Sequence, residues 1–111
     1  MQNLLDADSV HVVYITIPAD DAKNLARKLV EQRLAACVSV SSKVESFYWW
    51  KGRVKYDEEA RVICKTVAKK INKLMEFVHA NHPYEVPEII SFPVANGLPD
   101  YIAWVHEQTE G

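Results

Sequence analysis

The chain has 111 residues, 49% of them hydrophobic and 25% charged, which suits one domain with its own core and excludes both a disordered segment and a stapled miniature fold. Thirteen Lys and Arg against fifteen Asp and Glu give a net charge of −2, so the basic excess typical of a nucleic-acid-binding face is missing. No apolar run approaches the roughly 18 residues of a membrane span, and residues 1–10 carry Asp6 and Asp8 without the basic start of a signal peptide.

Residues 11–17 (HVVYITI) are apolar and β-branched throughout, which predicts a strand buried on both faces in the middle of a sheet. Pro18 closes it. Asp20 or Asp21 can cap a helix over about 21–34, with Leu25, Leu29, Val30 and Leu34 on one face. The period then changes to two. Val38, Val40, Val44, Tyr48 and Trp50 share one face of a strand over 37–50, and Ser39, Ser41, Lys43 and Glu45 take the other. Lys51-Gly52 makes the turn, with Gly52 free to adopt positive φ. A return strand follows over 53–66, where Val54, Tyr56, Ala60, Val62 and Cys64 alternate with Lys55, Asp57, Glu59 and Arg61.

Thr66 can cap a second helix, along which Val67, Ile71, Leu74, Met75 and Val78 form an amphipathic stripe until Pro83 forbids continuation. Residues 86–94 (VPEIISFPV) predict a fourth strand, placed at a sheet edge because Pro87 and Pro93 cannot donate to a ladder. Pro99 and Asp100 open a last short helix holding Tyr101, Ile102, Trp104 and Val105. The order β-α-β-β-α-β with an additional C-terminal helix predicts an α+β, ferredoxin-like sandwich with both main helices on one sheet face. No repeat, low-complexity stretch or linker interrupts it. Residues 1–111 are expected to form a single domain, with 1–9 a flexible N-terminal segment.

The hairpin is long for such a domain. At about 3.3 Å per residue, a strand over 37–50 spans about 46 Å, whereas a domain of this length is roughly 35 Å across. Its tip carries four consecutive aromatics, Phe47-Tyr48-Trp49-Trp50, an aggregation hazard if left exposed on a monomer. An oligomer joined through this hairpin is therefore expected. Alternatively the hairpin is bulged and folds back on its own core.

Several stretches together resemble the CutA divalent-cation-tolerance family. They are Leu29-Val-Glu-Gln-Arg-Leu-Ala-Ala-Cys37-Val38, Ser46-x-Tyr48-x-Trp50-x-Gly52, Lys65-Thr66, His82-Pro-Tyr-Glu-Val-Pro-Glu-Ile89, and then Pro93, Gly97, Tyr101 and Trp104. Each is modest alone, but in this order and at these separations they are specific, and they cover residues 10–106. The resemblance implies a ferredoxin-like protomer in a stable homotrimer with interlocked hairpins. It further implies a link to tolerance of copper and other divalent metals. The architecture is also similar to that of trimeric nitrogen-regulatory signal proteins, which suggests a signalling role.

Cys37 offers a thiolate, a soft ligand suited to copper; the other account is a small buried hydrophobe. The residues alone favour the buried hydrophobe for Cys37, the resemblance keeps the ligand role open, and Cys64 is expected in the core. Neutral imidazole is a common metal ligand. His82 matches a histidine proposed as a metal contact in CutA-like proteins, and His79 lies one helical turn earlier. A histidine at a helix C-terminus is equally explained by the helix dipole. Asn81 stands where some relatives carry a second histidine, and Ile15 where some carry a cysteine, so two candidate ligands are missing.

Tyr48, Trp50, Lys65, His82, Tyr84, Glu88, Tyr101 and Trp104 recur in the family pattern and are expected to line a cleft or an interface between subunits. Glu85 and Glu88 are expected on opposite faces of a strand and so unable to act as a pair. No CxxC, HExxH, G-x-S-x-G or glycine-rich phosphate motif occurs, so neither structural zinc nor catalysis is expected. An RNA-binding version of the fold would place aromatics in a K/R-G-F-like motif on the third strand, and residues 53–66 hold only Tyr56.

The expectation is therefore a non-enzymatic, cytoplasmic homotrimer with no membrane segment and no nucleic-acid partner. It would require no cofactor and would bind copper or another divalent cation weakly. The alternative is a signalling or scaffold trimer that takes a small molecule or a protein at its cleft. Cys37 and Cys64 are expected as thiols in a reducing compartment.

Overall fold

The computed structural model describes residues 8–111. The elements run β1 (Val10–Ile17), α1 (Ala19–Glu31), β2 (Cys37–Trp50), β3 (Arg53–Val67), a 3-10 turn (Ala68–Lys70), α2 (Ile71–Asn81), β4 (Ile89–Pro93) and α3 (Pro99–Gln108). The strands form one antiparallel sheet in the order β2-β3-β1-β4, as a ferredoxin-like sandwich requires. The doubly apolar β1 lies inside the sheet and the proline-bearing β4 at its edge. The flexible lead-in expected over 1–9 falls mostly on residues 1–7, which lie outside the described residues. Ser9 is buried, and its carbonyl accepts from the Ala68 amide.

Two cores form on opposite sides of the sheet. Val13, Ile15 and Ile17 of β1 and Val62 and Cys64 of β3 pack against Leu25 and Leu29 of α1 and Leu74 and Val78 of α2. Val10 and Val67 are cross-strand partners on the other side and meet Val105 of α3. Helix α3 thus covers one end of the second face.

Local chemistry departs from the sequence expectations at the helix ends. Neither Asp20 nor Asp21 caps α1. Pro18 takes the cap position, its carbonyl accepts the Asp21 amide at 3.0 Å, and both aspartates sit in the first turn, where the dipole favours them. The helix stops at Glu31 rather than 34 because Arg33 turns left-handed (φ 61°) and the amides of Leu34 and Ala35 return to the Leu29 carbonyl. Leu34 reaches the core from beyond the helix, and Val30, expected on the buried face, is 42% exposed. Thr66 does not cap α2. It is buried in β3, and its hydroxyl donates to the Leu34 carbonyl at 2.7 Å, joining the α1–β2 crossing to the sheet. Val67 belongs to the second core rather than to the α2 stripe. Strand β4 is shorter than predicted, since residues 83–88 form the loop that leads into it.

The largest correction concerns β2. Its register jumps from Ser41↔Arg61 to Val44↔Glu59, so β2 carries one extra residue, and Lys43 adopts φ 63° there. Beyond this bulge the two faces exchange. Val38 packs on the first core, whereas Tyr48 and Trp50 look out from the opposite side. The single stripe expected through residues 38–50 is therefore two half-stripes. A two-residue turn with both residues left-handed, Lys51 (φ 51°) and Gly52 (φ 77°), closes the arm. The molecule measures 45 × 27 × 22 Å, its long axis matching the length of the two hairpin strands. Phe47 and Trp49 are 69% and 74% exposed on the arm, directly across from Tyr56 and Val54.

Candidate functional site

His82 ends α2 in extended geometry (φ −98°, ψ 137°), as expected of a residue before proline. This turns its ring inward, leaving 8% of the residue exposed. Nε2 donates to the Thr16 carbonyl at 2.7 Å, and Nδ1 accepts the Tyr84 amide at 3.1 Å, so the two bonds together select one neutral tautomer. The ring pins the 83–88 loop to the end of β1. His79 is exposed on the helix one turn back.

Cys37 lies far from this point. It pairs with Lys65, which pairs in turn with Val12, four residues from Thr16 and one strand nearer β4 than Cys37's own neighbour. Strand rise and spacing put Cys37 about 16 Å from the Thr16–His82 contact. Among the described residues, no three His, Cys, Asp or Glu side chains gather as a metal-binding group. Cys37 instead faces the Tyr101 hydroxyl of α3, and burial together with the neighbouring sulfur pushes that phenol above its ordinary pKa. Tyr101 and Trp104 are in ring contact at 5.6 Å. The expected constellation therefore divides. Cys37, Lys65, Tyr101 and Trp104 belong to the α3 end, whereas Tyr48, Trp50, His82, Tyr84 and Glu88 belong to the opposite end.

Of the second group, Tyr48, Trp50, Tyr84 and Glu88 border a cleft of about 890 Å³ between the hairpin arm and the 83–88 loop, and His82 is not among its lining residues. The Tyr48 hydroxyl donates to Asp57, and the Thr16 hydroxyl donates to Glu88 at 3.0 Å. Tyr84 faces Glu59, a carboxylate only 5% exposed. Burial, then Glu59, pushes the Tyr84 phenol well up, while the bond to Asp57 is the main cause raising Tyr48. Both phenols stay protonated at neutral pH. Glu85 and Glu88 both line the cleft, contrary to expectation, because an irregular loop holds them rather than a strand.

Thr16, Asp57 and Glu59 went unrecognised in the sequence. In alternation they resemble a solvated strand face, and only the bulge brings Tyr48 and Trp50 round to join them. With one soft thiol at the α3 end and a carboxylate-lined aromatic cleft at the other, the chain offers sites for binding.

A family model described as "CutA1 divalent ion tolerance protein" matches residues 11–108. The chain belongs to the CutA1 divalent ion tolerance family. It is 45% identical over 103 residues to Protein CutA of Mus musculus, covering 92% of this chain and 58% of that one. It is 44% identical over 99 residues to the divalent-cation tolerance protein CutA of Thermus thermophilus, covering 88% of this chain and 96% of the relative.

The solved structure of the Thermus thermophilus CutA1 superposes with a TM-score of 0.88 at 43% identity, covering 91% of this chain and 99% of that one. CutA1 of Oryza sativa gives 0.89 at 40% identity, covering 92% and 94%. The chain spans about three-fifths of the length of the mouse, Xenopus laevis and rice relatives. No helix among the described residues is long and apolar enough to cross a membrane.

The two cysteines of this CutA1 chain are free and unequal. Burial pushes the Cys64 thiol up to about 12, while Cys37 is half-buried. Iodoacetamide at pH 8 is expected to add one carbamidomethyl group to the native protein, at Cys37, and two after denaturation, as read by mass spectrometry. A native adduct at Cys64 would contradict the packing of the first core.

Proposed function

We propose that this chain serves divalent-ion tolerance as a non-catalytic, cytoplasmic homotrimer that binds copper weakly. The match to the family model over residues 11–108 carries the tolerance role. The trimer is supported by the hairpin arm, which holds Phe47 and Trp49 far out of the protomer core, as an interface between copies would need. The cytoplasm suits two cysteines kept as free thiols; the Arabidopsis thaliana relative is named chloroplastic and the Archaeoglobus fulgidus one periplasmic.

Cys37 is the soft ligand in this account. His82, about 16 Å from Cys37 within one protomer, joins it only from another copy and only by giving up Thr16 or Tyr84, and His79 joins from the exposed helix end. A site assembled at that cost binds weakly. The test is a calorimetric titration of copper into the metal-free protein beside the Cys37→Ser variant. Uptake of one or a few equivalents per protomer, lost in the variant, is expected. No uptake, or uptake the variant keeps, overturns copper binding through Cys37. The roughly 890 Å³ cleft favours a second reading, in which the trimer takes a small molecule there.

A further inference from the structure

We infer that Asn96-Gly97, in the loop between β4 and α3, is a self-modification site, at which the asparagine cyclises onto the following amide and opens to isoaspartate. The loop lies at the α3 end of the sheet, away from the hairpin arm. Its base meets the start of β1, where the Val10 carbonyl accepts the Val94 amide at 2.9 Å, whereas the arm leaves the sheet beyond the far end of β1, at Ile17↔Ala60.

The segment is bracketed but not bonded. Val94 is fixed to β1, and the Leu98 carbonyl accepts the amides of Tyr101 and Ile102, both at 3.0 Å. Between these anchors Ala95, Asn96 and Gly97 are exposed, lie outside any helix or strand, and form no hydrogen bond through backbone or side chain. A stretch without such bonds rearranges at little cost.

Gly97 completes the geometry. A Cβ there would lie 2.7 Å from Ile102 Cδ1 and 3.0 Å from its Cγ1, so α3 packs against the bare α-carbon. Packing thus selects the one residue type that leaves the nitrogen after Asn96 unscreened by a side chain. Asn24, Asn72 and Asn81 lack this combination. They lie in α1 and α2 and are followed by Leu25, Lys73 and His82, and Asn81 also donates from Nδ2 to the Phe77 carbonyl at 2.8 Å. Helical ψ keeps the following nitrogen away from Cγ.

The reaction needs only water. The Gly97 nitrogen, as it gives up its proton, attacks Asn96 Cγ. The new N–Cγ bond forms, the Cγ–Nδ2 bond breaks, and ammonia leaves with that proton. Both groups belong to one chain, so the attack is intramolecular and closes a five-membered succinimide. Water then adds to one of the two ring carbonyls, and the ring C–N bond at that carbon breaks. Opening at Cγ gives aspartate. Opening at the Asn96 main-chain carbonyl gives isoaspartate, with the backbone rerouted through Cβ. Either product adds one negative charge.

The experiment incubates the full chain without denaturant at physiological temperature and mildly alkaline pH. Isoelectric focusing follows the charge, and peptide mass spectrometry with electron-transfer fragmentation separates isoaspartate from aspartate. A growing acidic band with isoaspartate at residue 96 is expected. Conversion at Asn24, Asn72 and Asn81 is expected to be at least about tenfold slower, a barrier difference of about 1.4 kcal/mol. Asn96→Gln, whose ring would need six members, is expected to lose the acidic band and keep native circular dichroism. An Asn96 that stays intact in the native protein but converts in the guanidinium-unfolded chain overturns the inference, because the fold would then protect the loop. Conversion to aspartate alone also overturns it, since hydrolysis without the ring makes no isoaspartate. So does equal conversion at the helical asparagines.

Discussion

Replacing His82 with alanine is expected to destabilise the metal-free protein by about 3 kcal/mol. The ring is buried, and each of its nitrogens serves a backbone group: the Thr16 carbonyl at 2.7 Å and the Tyr84 amide at 3.1 Å. Alanine strands both groups and leaves a void the size of an imidazole. The loss of a donor to a buried carbonyl alone costs about 1–3 kcal/mol. The loop from 83 to 88 would detach from β1, taking Tyr84 and Glu88 away from the cleft.

Urea unfolding with a chelator present separates this structural role from metal ligation, provided wild type and variant are compared at equal protomer concentration. A purely ligating His82 predicts no change without metal. A midpoint shift worth less than about 0.5 kcal/mol, the scale of an ordinary surface substitution, would refute the structural account. His82→Gln, which can renew one of the two bonds, should recover part of the loss.

The double substitution Phe47→Ser/Trp49→Ser is expected to abolish self-association of the proposed homotrimer. Both rings project from the arm, and both sit directly across from apolar partners, Tyr56 and Val54. Neither touches the cores beneath the helices, so each protomer should keep its fold. Aromatic anchors at an interface centre cost about 2 kcal/mol or more each on truncation, and a trimer loses three copies of both. Sedimentation equilibrium at micromolar concentration should report three chains for the wild type and one for the variant. Val30→Ser removes an exposed apolar side chain from α1, away from the arm, and should leave the mass unchanged. A double variant that still sediments as the wild type does would place the interface elsewhere.

Periodicity read directly from the residues located every strand and every α-helix of the described chain, together with the central place of β1 and the edge place of β4. These features depend on neighbours a few positions apart. An apolar run needs cover on both faces, and a proline cannot donate to a ladder, whatever the rest of the chain does. The hairpin's excess length over the domain's diameter was equally visible, and of the eight residues expected at a cleft or interface between subunits, Tyr48, Trp50, Tyr84 and Glu88 lie along one cleft of the protomer.

Other features depended on contacts between distant segments. Thr66 has a hydroxyl that suits a helix cap, but a carbonyl 32 residues away claims it. Glu85 and Glu88 converge because β4 begins later than its apolar residues suggest. Cys37 and His82 share a chemistry in the sequence but stand toward opposite ends of the sheet, about 16 Å apart.

The bulge between Ser41 and Val44 decided the most. Alternation along one strand is unchanged by an extra residue, so nothing in β2 alone reveals it; only pairing with β3 does. Composition and periodicity thus determined the sandwich, its strand order and the long arm, since each follows from local burial and backbone chemistry. The site was decided by tertiary structure alone, because one unpaired residue in the register moves Tyr48 and Trp50 across the sheet to meet Asp57, Glu59 and Tyr84.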